Sequence, residues 1–325
     1  MEELAEKFNS LKKLLQKGES FFMVIHPKPD ADALGSAFAL KRHLQEELKK
    51  KKVKIYSVDK PGDIFKELFP TEEVSQEDED LKDFDTLIFL DRGDIYHKLA
   101  FDKKTAKLNK KIQILNIDHH PETFVQGALN VIDDKAPATC EIIYRYFDFI
   151  DYDITPAEAQ FLLNGIFSDT GGFRHNNTTP HSLEVAGNLM RKGATTVKIS
   201  KTLYFNKSLQ TLRLWAIALE RAKLEPKSGM ITSFLTMEDL KKCNATSADI
   251  SGISEVLNTI AESKFSLVLA EPEKNKIKAS LRSDEHKGVD VSQIAKKFKG
   301  GGHKLASGFE IKGRLKQMGD HWVIE

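Results

Sequence analysis

Four groups of acidic and histidine side chains each follow an apolar run. They are His26-Pro-Lys-Pro-Asp30-Ala-Asp32 after FFMVI, Asp91 after DTLIFL, Asp118-His119-His120 after IQILNI, and Asp169 after FLLNGIFS. Carboxylates gathered at one edge of a sheet repel one another. A shared pair of divalent cations cancels that repulsion and brings a chemistry with it, the hydrolysis of a phosphate ester by metal-activated water. In HPKPDAD the two prolines stiffen the turn, so that His26, Asp30 and Asp32 can converge, with the two aspartates addressing different metals. Asp32 taken singly would read as a helix cap, and Asp91 as a common strand end. Two imidazoles beside a carboxylate after ILNI are harder to explain without a function. After Asp169, Gly171 and Gly172 let the backbone approach a ligand, and Arg174 could clamp a phosphate through two N–H groups.

These residues need elements to position them. FFMVIH, KVKIYSV, DTLIFLD and KIQILNID read as strands, with a helix from about Asp32 through Leu48 between the first two and HKLAFDKKTAKLN as a helix or loop before the fourth. Strands separated by helical segments predict an α/β domain on a doubly wound parallel sheet. Such sheets bind ligands at the carboxyl ends of their strands, where His26, Asp91 and Asp118 fall. APATCEIIYRYFDFI, TPAEAQFLLNGIFSD and HSLEVAGNLMRKGA read as helices; the second has Thr155 as cap and Pro156 at its first position.

The spacing divides the chain into a metal-binding domain over 1–195, a helical connector over 196–221 and a smaller α+β domain over 222–325. In the last, SGMITSFLTM, KFSLVLAEPE, KIKASLRS, ASGFEIK and HWVI alternate as strands, and helices fall at about Ile250–Ser263 and Val289–Phe298. Gly300, Gly301 and Gly302 free their backbone amides for an anion-binding nest, which His303 and Arg282 complete as a phosphate pocket.

Composition sets outer bounds. The formal net charge is +1, from 49 Lys and Arg against 48 Asp and Glu, so no global basic field holds a long duplex. No apolar stretch approaches the roughly 20 residues of a membrane span, and the N-terminus is a charged amphipathic helix rather than a signal peptide. Cys140 and Cys243 form no metal or disulfide pattern and read as buried thiols of a cytoplasmic protein.

The motifs HPKPDADALGS, FLDRGD, IDHHP and SDTGGF, in that order, resemble those of the DHH phosphoesterases, and SLRS with GGGHKLASGF resembles the DHH-associated C-terminal domain. The likeness spans nearly the whole chain and points to the short two-domain type of oligoribonuclease (nanoRNase) and pAp phosphatase. It implies two Mn²⁺ ions, with Mg²⁺ as the alternative. One would rest on His26, Asp30 and Asp91, the other on Asp32, Asp91, His119 and Asp169, so that Asp91 bridges. Asp118 would orient a histidine and His120 would face the scissile phosphate. Four aspartates and two histidines suit such hard ions better than structural zinc. The implied substrates are short RNAs of roughly two to five units and pAp, with no membrane partner and a homodimer left open. Relatives of this type that cleave cyclic di-AMP or pApA provide the alternative. Ala31 stands where the family has Gly, Arg92 is unusual beside the bridging aspartate, and Leu305 offsets the residues after GGGH.

Rival readings are a RecJ-like exonuclease, expected to be longer, a pyrophosphatase or polyphosphatase, expected to lack GGGH, and a nucleotide sensor, expected to have lost ligands.

Overall fold

Five parallel strands carry the first half: β1 (Ser20–Val24), β2 (Lys52–Tyr56), β3 (Thr86–Leu90), β4 (Gln113–Asp118) and β5 (Leu129–Ile132), in the order β2-β1-β3-β4-β5. This computed structural model describes residues 2–77, 80–92, 112–302, 304–319 and 321–325. The segment HKLAFDKKTAKLN and His303 lie outside the described residues. Both faces of the sheet are buried. Along β1, Phe21 and Met23 join one apolar cluster and Phe22 and Val24 another, which is why the run is continuously apolar rather than alternating. The winding reverses between β1 and β3, so their carboxyl ends flank the crevice where open α/β sheets hold ligands. Strand β5 escaped the sequence reading because its four residues, Leu129-Asn130-Val131-Ile132, are too few to show a clear period, and Asn130 is turned into hydrogen bonds with Val125 and Ala128.

The helix Ala31–Arg42 follows β1 and widens into a π-helical turn at His43–Glu47. It packs on the helix Pro156–Asp169, whose first turn is fixed by a capping box between Thr155 and Glu158. Helices Thr139–Phe149 and Pro180–Arg191 complete this layer.

The π turn opens with His43, which is 2% exposed. Its ring lies edge-on to Tyr152, with centroids 4.6 Å apart, and its Nδ1 has no hydrogen-bond partner among the described residues. Burial pushes its pKa down to about 4. The unfolded chain protonates this histidine near pH 6.5 and the folded chain only near pH 4, so its neutral burial costs nothing above 6.5. As pH falls through that window, stability is lost by up to about 3 kcal/mol. His43→Phe is expected to flatten the fall of melting temperature between pH 6.5 and 4. Equal slopes for both proteins would contradict this assignment.

The chain divides into two compact units, Met1–Asn206 and Lys207–Glu325. The segment read as a connector is shared between them rather than standing apart. Ile199 is buried in the core of the first unit, whereas Leu214 and Ala218, on the helix Leu209–Glu220, are buried in the second. An amphipathic helix with an apolar stripe docks on whichever core covers it, and hydropathy cannot say which.

The second unit is a mixed sheet of β6 (Lys223–Glu225), β7 (Met230–Leu235), β8 (Phe265–Glu273), β9 (Lys276–Ser283), β10 (Gly301–Gly302) and β11 (Ala306–Lys312) in the order β10-β11-β9-β8-β7-β6. A small ribbon, Leu315–Met318 with His321–Ile324, follows. The expected hairpin is present as β8–β9, and the helices Ile253–Asn258 and Val291–Lys297 lie near the predicted places. The α/β unit followed by a smaller α+β unit is therefore as expected.

Candidate metal centre

His26, Asp30, Asp32, Asp91, His119 and Asp169 come together at the carboxyl ends of the strands. Two trios of ligand atoms, His26-Asp30-Asp91 and Asp32-His119-Asp169, each lie within 4.8 Å of one another, and a third group links Asp91 to Asp118, His119 and His120. Each side chain is aimed by local structure. Asp30 caps the helix Ala31–Arg42, its Oδ1 accepting from the N–H groups of Asp32 and Ala33 at 3.0 and 3.1 Å. His26 donates from Nδ1 to the Pro27 carbonyl at 2.7 Å, leaving Nε2 to face Asp30 and Asp91 at 3.6 and 3.7 Å. Nε2 of His119 stands 3.5 Å from Asp91 and 3.6 Å from Asp169. Nε2 of His119 is buried and lacks a hydrogen-bond partner among the described residues.

These spacings exceed direct hydrogen bonds. Ligand atoms about 2.1 Å from one ion sit roughly 3–3.6 Å apart, so the gaps and the orphaned imidazole nitrogen fit a divalent cation. The charges agree. Burial and then the Asp91 carboxylate push Asp32 up to about 7, and burial with Asp32, Asp30 and Asp91 holds Asp169 well above the usual carboxylate range. Burial works against protonating His26 and His119, yet Asp30 and Asp91 beside the first, and Asp91 and Asp32 beside the second, raise both to about 9. A cluster that favours positive charge this strongly suits divalent cations, whose binding would release protons from it.

Asp118 plays a different part. It is fully buried and accepts from Nδ1 and the backbone N–H of His120 at 2.8 and 3.0 Å, and from the N–H of Arg92 at 2.8 Å. Burial alone would raise its pKa, but these donors hold it below the ordinary range. It fixes the ring of His120 rather than that of His119.

Three groups that hold the centre escaped the sequence reading. The N–H groups of Thr139 and Cys140 donate to the two carboxylate oxygens of Asp32 at 2.6 and 2.8 Å. The helix they open has Ala138 at its cap and no side-chain cap of its own, so Asp32 caps it from 107 residues away. Gly165 is the third. A Cβ there would lie 2.3 Å from Cys140 Sγ and 2.6 Å from Asp32 Oδ1, while one on Gly35 would meet the Phe161 carbonyl at 2.3 Å. The signals were a helix start without a Ser, Thr, Asp or Asn cap, and glycines in two helix interiors, where each costs about 1 kcal/mol.

Backbone strain gathers here. Asp91 has φ +46° and Lys28 φ +52°, and Gly171, Gly172 and Phe173 take φ +58°, +71° and +64° in succession. Arg174 leaves that turn exposed, its Nε donating to the Gly171 carbonyl at 2.6 Å and its guanidinium 4.9 Å from the Tyr204 ring centre. It belongs to none of the three ligand groups.

In the second unit, Arg282, Gly301 and Gly302 line one cavity of ≈ 400 Å³ with Lys278, Ser280 and Ser307. The glycines differ from the expected open nest. The Gly300 N–H is bound to the Ala295 carbonyl, and Gly301 and Gly302 pair with Gly308 and Ser307. Glycine is required by close approach, since a Cβ at Gly300 would lie 2.2 Å from the Gly308 carbonyl oxygen.

The profile described as DHH family, N-terminal domain, matches residues 20–166, and that of the DHHA1 domain matches residues 228–320. A Thermus thermophilus protein named bifunctional oligoribonuclease and PAP phosphatase NrnA is 30% identical over 95% of this chain and 89% of its own length. The chain belongs to the DHH family. A Bacillus subtilis protein of the same name is 28% identical over 88% of this chain and 87% of its own. A crystal structure from Bacteroides fragilis, titled an exopolyphosphatase-related protein, superposes with a TM-score of 0.82 at 25% identity, covering 94% of this chain and 90% of that one. Among the described residues no helix is long and apolar enough to cross a membrane.

Proposed function

We propose that this DHH protein is a divalent-metal phosphoesterase that hydrolyses short oligoribonucleotides, roughly two to five units long, and the bisphosphorylated nucleotide pAp, releasing mononucleotides. The observation that carries this reading is the meeting of two ligand trios around Asp91. The relatives named for both activities support it. His26, Asp30 and Asp91 would hold one ion, and Asp32, Asp91, His119 and Asp169 the other. Manganese is our assignment, with magnesium as its competitor, since both favour such oxygen-rich sets. Bound ions supply Lewis-acid charge to phosphoryl oxygens and lower the pKa of water.

The chain's own groups do the rest. His120, oriented through Nδ1 by Asp118, faces the scissile phosphate and handles a proton there. Arg174 adds positive charge beside it. Arg282, in the cavity that Gly301 and Gly302 help to line, takes the terminal phosphate of the substrate together with His303. A net charge of +1 offers no long electrostatic track, which supports short substrates over long ones. Two buried free cysteines support a reducing, cytoplasmic setting.

Chain-length dependence tests this reading. With Mn²⁺, kcat/KM is expected to be greatest for di- to pentaribonucleotides and to fall at least tenfold for a 24-mer, with pAp also turned over. A rate rising steadily with length would point to a processive exonuclease. Activity confined to pyrophosphate or polyphosphate would remove the nucleotide reading, and a preference for cyclic di-AMP would replace it.

A further inference from the structure

The cavity beside β9 and β11 holds a charge pair that the assignment of Arg282 does not account for. Arg282 donates from Nε to Glu255 Oε1 at 2.8 Å, its Nη2 lies 2.7 Å from the same oxygen in an ion pair, and Nη1 donates to the Leu281 carbonyl at 2.9 Å. Ser254 Oγ donates to the other oxygen of Glu255 at 3.1 Å, which fixes the carboxylate in turn. Glu255 and Arg282 both line the cavity. A guanidinium has five N–H bonds in one plane. Two are donated to described residues, from Nε to Glu255 and from Nη1 to Leu281, and Nη2 faces Glu255 as an ion pair. The two Nη nitrogens carry four N–H bonds between them, more than these contacts use, and a guanidinium with N–H groups to spare can match two oxygens of a phosphate.

We infer that Glu255 is a positioning residue, which grips the side edge of Arg282 and so presents its terminal edge to the phosphate of the substrate. This rests on the reading of that cavity as the terminal-phosphate site. Strand register supports the presentation. Arg282 pairs with Ala306 and Ser280 with Gly308, so the neighbours across the ladder are too small to cover the guanidinium. An arginine released from Glu255 would sample many rotamers, and ordering it again on binding would weaken affinity without altering the bond-breaking step. Glu255 therefore sets how strongly the enzyme distinguishes a phosphorylated end from a hydroxyl end.

The test compares one diadenylate with and without its 5′ phosphate, using the full-length, Mn²⁺-loaded enzyme. Glu255→Ala is expected to raise KM for the phosphorylated form by about tenfold, with little change in kcat and little change in KM for the hydroxyl form. Glu255→Gln keeps an oxygen acceptor for Nε and Nη2 and is expected to recover part of the loss. Arg282→Ala is expected to abolish the distinction, and adding Glu255→Ala to it to cost nothing further. If Arg282→Ala removes the distinction and Glu255→Ala leaves it intact or sharpens it, the positioning role is wrong and the phosphate pocket stands. If Arg282→Ala itself leaves the distinction intact, the pocket assignment fails, and the inference with it.

Discussion

Asp91→Asn is expected to lower kcat/KM by on the order of 10³ or more and to leave the protein unable to hold either ion. The reason is position. Asp91 Oδ2 faces His26 at 3.7 Å and Asp91 Oδ1 faces His119 at 3.5 Å, so the two carboxylate oxygens look into different ligand groups. No other side chain does this among the described residues of the two trios. Asn at this place keeps one oxygen but loses the charge that draws both cations. Metal content after equilibrium dialysis, read by elemental analysis, separates the cases. Wild type is expected to hold two ions per chain, Asp30→Asn and Asp169→Asn one, and Asp91→Asn none. A fully active Asp91→Asn enzyme, or one retaining both ions, would refute the bridging role.

Gly165→Ala carries the second large effect, although it touches no proposed substrate or metal. The added methyl would stand 2.6 Å from Asp32 Oδ1 and 2.9 Å from Asp32 Cα, with Cys140 Sγ on its other side at 2.3 Å. Asp32 Cα is backbone and the Asp32 carboxylate is held by the N–H groups of Thr139 and Cys140, so the helix Pro156–Asp169 must shift away from the helix Ala31–Arg42. That shift breaks the fit of Asp32 to the N–H groups of Thr139 and Cys140. We expect a loss of about 2 kcal/mol in stability and of on the order of 10²-fold in kcat/KM, since small misplacements of catalytic groups are amplified. The comparison with Gly187→Ala is instructive, because the nearest atom to a Cβ there is the tip of Arg191 at 3.9 Å. If both variants behaved alike, the close crossing of the two helices would not be what places Asp32.

Much of this architecture was legible because apolar runs of four to six residues ended in charged side chains. The runs forced strands, and the charges at their ends marked the edge of the sheet. His26, Asp91 and Asp118 were found that way. Asp169 was found the same way, at the end of the apolar run FLLNGIFS, although that run is a helix, and its glycine pair added a second signal. What could not be read is whatever depends on a partner far along the chain. Asp32 looked like a local helix cap, yet Asp30 is the local cap and Asp32 serves the helix opened by Thr139, over 100 residues later. The glycines Gly300–Gly302 looked like an open anion nest, yet β11 takes up two of them. The guanidinium of Arg282 looked like a bare phosphate ligand, and only packing of the helix Ile253–Asn258 reveals Glu255 beside it. A one-dimensional pattern records what a residue can donate, not which neighbour has already accepted it.

The central claim is that metal held by these six side chains drives hydrolysis of short nucleotides. The most direct measurement is product release from pAp and from a triribonucleotide by protein stripped with chelator, before and after stoichiometric Mn²⁺ is returned. The account predicts no turnover of either substrate by the stripped protein and recovery on addition of about two equivalents per chain. Turnover by metal-free protein, or metal-loaded protein inert toward both, would contradict it.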